Sequence, residues 1–179
     1  MSLLRRFSAD DLFSFNNINL DPLTETYNIS FYLGYLAQWP DYFVMAESSS
    51  GASMGYIMGK AEGARELWHG HVTALTVAPE YRRMNLARRL MAVLESVSEH
   101  LYDTYFVDLF VRQSNRVAIG MYERFGYTVY RTVLGYYSNG PGDKNAENAY
   151  DMRKALPRDV HKKSIIPLKH PVKPEDLEW

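Results

Sequence analysis

The sequence contains no cysteine. That excludes disulfides, a thiolate nucleophile, cysteine-held zinc and any acyl-cysteine intermediate. An excess of positive charge is missing too: 20 Lys and Arg stand against 21 Asp and Glu, for a formal net charge of −1. General nucleic-acid binders neutralise many phosphates and are usually basic, so any cationic site here is a local cluster. No run approaches the ~20 apolar residues of a membrane span. Arg5 and Arg6 interrupt the N-terminal apolar stretch too early for a secretory signal. A glycine-framed Walker loop is also lacking. The expectation is a cytoplasmic protein with no membrane association and no direct nucleic-acid specificity.

What is present suits one domain. The 179 residues are 46% hydrophobic and 14% aromatic, with 14 tyrosines. A chain of this size buries roughly 70% of the surface its unfolded form exposes, enough for a core without covalent staples. Ser8 is placed to cap a first helix that ends at Asn16, Asn17, Asp21 and Pro22. Ser30 is placed to cap a second, stopped before Pro40. Tyr42–Glu47 and Met54–Lys60 read as a hairpin around Ser-Ser-Ser-Gly. Trp68–Val77 reads as a long strand. A helix follows with Leu86, Leu90, Val93, Leu94, Val97 and Leu101 on one face.

Tyr105–Val111 is a nearly continuous apolar run broken only by Asp108, the mark of a buried strand. A further helix carries Ala118, Met121, Tyr122 and Phe125, with Gly126 as its left-handed stop. Tyr127–Tyr137 and Ala149–Lys154 read as two more strands around a Gly/Asn/Asp-rich loop. The alternation of strands and helices in the middle predicts an α/β domain with helices packed on a partly parallel sheet. Residues 1–156 form that domain in this reading, and residues 157–179, rich in Pro and Lys, form an extended tail.

The segment Val77-Ala-Pro-Glu-Tyr-Arg-Arg-Met-Asn-Leu-Ala87 runs from a strand straight into a helix. Free N–H groups and the macrodipole at a helix start favour an anion. Arg82 and Arg83 add charge, and Arg88 and Arg89 extend it into the helix. Asn85 is the residue type that, after glycine, best tolerates a positive φ. A solvated basic helix face has the same charges, so the segment alone does not decide.

The spacing Arg82-x-x-Asn85-x-Ala87 resembles the pyrophosphate-cradling motif of the GNAT acetyltransferase superfamily, with Asn85 in place of glycine. The later run Val111-Arg-Gln-Ser-Asn115, Ala118, Met121-Tyr122 and Phe125-Gly126-Tyr127 resembles the second half of that site. The resemblance implies a GNAT-like single α/β domain: a mixed, mostly antiparallel sheet of about seven strands with a central parallel pair, flanked by about four helices. It implies acetyl-CoA as cosubstrate and no metal. Leu75, Thr76, Val77, Arg82, Arg83, Met84, Asn85, Leu86 and Ala87 then bind the coenzyme. Asn115 contacts it, and Tyr122 stands near the thioester as general acid.

Within that superfamily the flanks resemble the catalytic subunits of the NatB N-terminal acetyltransferases. The stretches concerned are Phe15–Tyr27, Met54–Gly63, Trp68–Leu75, Ala149–Ala155 and Lys162-Lys-Ser-Ile-Ile-Pro-Leu168. This implies acetylation of N-termini beginning Met-Asp, Met-Glu, Met-Asn or Met-Gln, by direct attack in a ternary complex. It also implies a ribosome-associated heterodimer with a large helical-repeat auxiliary subunit, acting on nascent chains. Carried over by position, His71 and Thr73 bind the polar second residue, and Phe110 the initiator methionine. Glu25 and Tyr27 form one wall of the peptide groove, and Tyr136 and Tyr137 the other. The general base is His71 or a tyrosine acting through water. His69 reads as structural, since His-x-His without further nearby ligands is a poor metal site. The competing readings are a GNAT acting on internal lysine or a small amine, and a non-catalytic acetyl-CoA- or protein-binding module.

Overall fold

In a computed structural model the described residues are 2–20, 24–138 and 145–177. They fall into two compact units. One comprises the residues up to Ala61 with Gly70–Tyr102, the other Glu62–His69 with Asp103 onward.

The first unit is built on β1 (Ser2–Arg6), β2 (Val44–Ser48), β3 (Ser53–Glu62) and β4 (His69–Val77), adjacent in that order. β1 and β2 are antiparallel with Leu4 opposite Ala46, and β2 and β3 are antiparallel with Met45 opposite Tyr56. β1 falls where the sequence offered no strand pattern. Tertiary contacts hold it: Arg5 donates to Glu47 at 2.6 Å and to both Asp11 oxygens at 2.7 and 2.8 Å.

The helix expected after Ser8 is instead a pair of 3-10 segments, Ala9–Phe13 and Asn16–Leu20. Asp11 spends its carboxylate on Arg5 and on the Ser8 N–H at 2.8 Å, which anchors this stretch to β1. Asp21 and Pro22 lie outside the described residues. α1 (Ile29–Gln38) is capped by Asn28, whose Oδ1 accepts from the Phe31 N–H at 2.9 Å, and not by Ser30. Ser30 is already inside the first turn. α1 ends at Gln38, before Pro40, as its sequence requires.

α2 (Leu86–His100) buries Leu86, Leu90, Met91, Leu94 and Ser98, while Leu101 is exposed. Gly59 and Gly70 let this helix come close to the strands. A Cβ on Gly59 would stand 2.7 Å from Leu94 Cδ1, and one on Gly70 would stand 2.1 Å from Ser98 Oγ. Ser98 in turn hydrogen-bonds the buried Tyr42 hydroxyl at 3.0 Å. The core between the strands and α1 is aromatic: Phe7, Phe15, Tyr32, Phe43 and Tyr56 pack with Ile18, Met45 and Met58.

The second unit holds β5 (Phe106–Arg112), β6 (Thr128–Tyr137), β7 (Glu147–Ala155) and α3 (Arg116–Arg124). Its strands run in the order β5-β7-β6, antiparallel, with Phe110 opposite Asp151. Part of the loop expected between β6 and β7, residues 139–144, lies outside the described residues. Gly126 has φ 94 and closes α3, and the Tyr127 N–H reaches back to the Tyr122 carbonyl at 3.0 Å. Asp108, the break in the apolar run of β5, is buried 3.5 Å from His69 Nε2. Asp151 is buried between Arg131 at 2.8 Å and Arg153 at 3.2 Å. Residues after Leu156 run back along β6: Leu168 and Val172 donate to the Tyr130 and Thr132 carbonyls, and Leu177 is buried with Val133 and Ala149. Among the described residues no helix is long and apolar enough to cross a membrane.

Candidate active site

β4 ends at Val77, a 3-10 turn follows at Pro79–Tyr81, and the chain then passes through Arg82–Asn85 into α2. Asn85 has φ 63, the left-handed conformation its side chain tolerates. Arg83 also has φ 64, which nothing in the residue type signals. These two left-handed residues turn the chain sharply enough to leave residues 82–85 exposed while Leu86 is buried. The first bond of the helix runs from the Arg89 N–H to the Asn85 carbonyl at 3.2 Å. The N–H groups of Leu86, Ala87 and Arg88 precede it and have no acceptor within the helix. An exposed turn of this build, at the positive end of a helix dipole, suits a pyrophosphate.

The charges are distributed differently from the sequence expectation. Arg82 Nε bonds the Val77 carbonyl at 3.1 Å, bracing the turn. Arg89 turns to Ser2, donating to its hydroxyl and, at 3.3 Å, to its carbonyl, so it ties α2 to β1 and does not extend the cationic turn. Thr76 is buried, its hydroxyl bonded to the Ile18 carbonyl at 3.3 Å and to Thr24 Oγ1 at 3.1 Å. Its side chain therefore holds the preceding segment in place, and Leu75 and Val77 are half-buried beside it.

Further up β4, His71 is buried and Thr73 half-buried on one face of the strand. Tyr27 donates to the Thr73 carbonyl at 3.4 Å, and the Tyr35 hydroxyl lies 2.9 Å from Thr73 Oγ1. Tyr27 and Thr73 thus lie together, and Tyr35 joins them. Glu25 is exposed in the segment before α1.

In the second unit Asn115 is the N-cap of α3, its Oδ1 accepting from the Ala118 N–H at 3.1 Å. The oxygen is committed to the helix, which leaves the Nδ2 amide as the group suited to a ligand. Tyr122 lies on α3 with its ring edge-on to Phe125 and Tyr127. Burial pushes its phenol pKa up, so the hydroxyl keeps its proton across the physiological range. Phe110 stacks on Tyr136 at 4.6 Å, and the Tyr137 hydroxyl donates to the Phe110 carbonyl at 3.1 Å. Arg112 lies over the Tyr137 ring at 4.1 Å. Phe110, Tyr136 and Tyr137, three of the four aromatic residues expected to meet the peptide, form one cluster, which β-strand spacing alone does not reveal.

His69 is buried, its ring parallel to Phe106 at 4.7 Å and its Nδ1 2.6 Å from the Leu67 carbonyl. Its Nε2 faces Asp108 at 3.5 Å and Glu62 at 3.8 Å.

The model of the acetyltransferase (GNAT) family matches residues 11–127. The chain is 65% identical to N-alpha-acetyltransferase 20 of Dictyostelium discoideum over 178 residues, 99% of each chain. It is 59% identical to the N-terminal acetyltransferase B complex catalytic subunit NAA20 of Arabidopsis thaliana, covering 100% of this chain and 99% of the relative. The crystal structure of Chaetomium thermophilum Naa20 in complex with a bisubstrate analogue superposes with a TM-score of 0.88 at 45% identity, covering 97% of both chains.

Proposed function

From the premise that the chain belongs to the acetyltransferase (GNAT) family, among the catalytic subunits of NatB-type N-terminal acetyltransferases, we propose that it acetylates N-termini beginning Met-Asp, Met-Glu, Met-Asn or Met-Gln. The observation that carries this reading is the reach of the likeness. The generic family match stops at residue 127, whereas the relatives align over nearly the whole chain, including the strand β6 that carries Tyr136 and Tyr137.

Acetyl-CoA supplies the activated acetyl group. The turn Arg82–Ala87 binds its pyrophosphate through backbone N–H groups and the exposed Arg side chains, with Leu75, Thr76 and Val77 beside it and Asn115 donating from Nδ2. His71 and Thr73 bind the polar second residue of the peptide, and Phe110 packs on the initiator methionine. Glu25, Tyr27, Tyr136 and Tyr137 hold the peptide backbone.

The peptide α-amine has a pKa of roughly 8, against about 10.4 for lysine, so a weak base acting through water, His71 or a tyrosine, frees its lone pair. Its nitrogen attacks the thioester carbon in a ternary complex. The C–N bond forms, the C–S bond breaks, the amine loses a proton, and Tyr122 gives one to the departing thiolate. The chain lacks cysteine, which excludes an acyl-cysteine intermediate, and direct transfer is the economical route. No metal enters this scheme. Partnership with a helical-repeat auxiliary subunit, and cytoplasmic action on nascent chains at the ribosome, belong to the same reading.

The test is acetyl transfer from labelled acetyl-CoA to short peptides. Met-Asp peptides are expected to be labelled in preference to Met-Leu, Ser-Glu and N-blocked lysine peptides, and EDTA is expected to leave the rate unchanged. Labelling confined to the lysine peptide would sink the N-terminal specificity. Loss of activity in EDTA, restored by a divalent cation, would overturn the metal-free scheme.

A further inference from the structure

We propose that Tyr35 is a specificity-determining positioning residue, which fixes the Thr73 hydroxyl as a hydrogen-bond donor toward the second residue of the peptide. The inference rests on the reading of Thr73 given above.

Phe31 and Tyr35, four apart, share one face of α1, and Tyr27 lies just before the helix. They form a row: Tyr27 stacks on Phe31 at 4.3 Å, and Phe31 meets Tyr35 at 4.9 Å with the rings tilted by 37°. The row is fastened at its start by the Tyr27 N–H, which donates to the hydroxyl of the buried Tyr32 at 3.2 Å. Its two ends both reach Thr73. Tyr27 donates to the main-chain carbonyl at 3.4 Å, and the Tyr35 hydroxyl meets Oγ1 at 2.9 Å.

A hydroxyl carries one proton and two lone pairs. A phenol, whose oxygen lone pair is shared with its ring, is the better donor and poorer acceptor of the two hydroxyls. In the Tyr35–Thr73 pair the phenol therefore gives its proton to Oγ1, and the Thr73 proton is turned to a different acceptor. Asp, Glu, Asn and Gln differ in charge and length but share a side-chain carbonyl-type oxygen that accepts, and Leu has none. One oriented donor thus accounts for a preference that spans acids and amides. A site built to hydrogen-bond a polar group discriminates strongly against a partner that lacks it.

The test uses the full chain with Met-Asp, Met-Asn and Met-Leu peptides. Tyr35→Phe keeps the ring in its row and removes only the hydroxyl. It is expected to raise KM for Met-Asp and Met-Asn about three- to tenfold, the loss typical of one hydrogen bond. The kcat and the KM for acetyl-CoA stay unchanged, and the advantage over Met-Leu shrinks by the same factor. Thr73→Val is expected to raise the same KM values at least as much, and adding Tyr35→Phe to it then changes nothing further.

A normal KM in Tyr35→Phe beside a raised one in Thr73→Val overturns the inference and leaves the Thr73 reading standing. A full additional effect of Tyr35→Phe in the Thr73→Val background also overturns it, as does a raised KM for acetyl-CoA, which a general structural role would produce. Normal peptide KM values in Thr73→Val overturn the Thr73 reading and the inference with it.

Discussion

Tyr122 shows what a single position owes to its surroundings. On the sequence it is one of 14 tyrosines on an amphipathic helix face, where most such residues merely pack. Folded, it is buried beside Phe125 and Tyr127, and burial raises the phenol pKa by disfavouring the phenolate. The hydroxyl is therefore protonated at physiological pH. Tyr122→Phe preserves the packing and removes the hydroxyl that the proposed mechanism uses as proton donor. We expect kcat to fall about a hundredfold or more while KM for acetyl-CoA stays within about twofold. A variant with unchanged kcat, measured at saturating peptide, would remove Tyr122 from the chemistry. Asn115 teaches the complementary lesson: its Oδ1 caps α3, so only half of its amide is left for a ligand role.

The turn between β4 and α2 depends on backbone more than on side chains. Arg83 and Asn85 both sit at positive φ, and Asn85 is the one whose residue type fits. A Cβ-bearing residue without a local hydrogen-bonding side chain costs roughly 1–2 kcal/mol there, while glycine costs nothing sterically. Asn85→Ala is accordingly expected to lose about 1 kcal/mol in urea unfolding, and Asn85→Gly to be near neutral. Equal losses in both would contradict the backbone account. α1 carries a second such lesson. Its sequence marks Phe31, Leu33, Tyr35 and Leu36 as helix residues, yet the contact of Tyr27 and Tyr35 with Thr73 appears only when β4 lies alongside.

Taken over the full chain, acid sensitivity follows from charges the tertiary fold has buried. Asp11 pays a desolvation cost that raises its pKa, but the Arg5 guanidinium and the Ser8 N–H overcome it and hold the carboxyl below its usual range. A depressed folded pKa gives stability that is complete above the unfolded value of about 3.9 and is lost as pH falls through the folded value. Thermal unfolding between about pH 2 and 6 should therefore show an acid limb, and Asp11→Asn should both lower Tm at pH 6 and flatten that limb. An unaltered limb in the variant would assign acid sensitivity to other carboxylates.

The sequence by itself determined the elements whose periodicity is local. α2, α3 with its Gly126 stop, the strands β2 to β7 and the strand-to-helix turn before α2 are each written in spacing, glycine placement and charge. The resemblance of the motifs added the chemistry. Tertiary structure alone decided what depends on partners far along the chain. β1 is a strand because Arg5 meets Asp11 and Glu47, the segment after Ser8 is 3-10 because Asp11 is spent on that clamp, and Arg89 faces Ser2. It also placed Phe110 against Tyr136 and Tyr35 against Thr73. The division has one physical cause. Turn and helix signals act over a few residues and survive in the linear order, whereas the contacts that orient a reactive side chain join residues tens of positions apart and come into being only when the chain has packed.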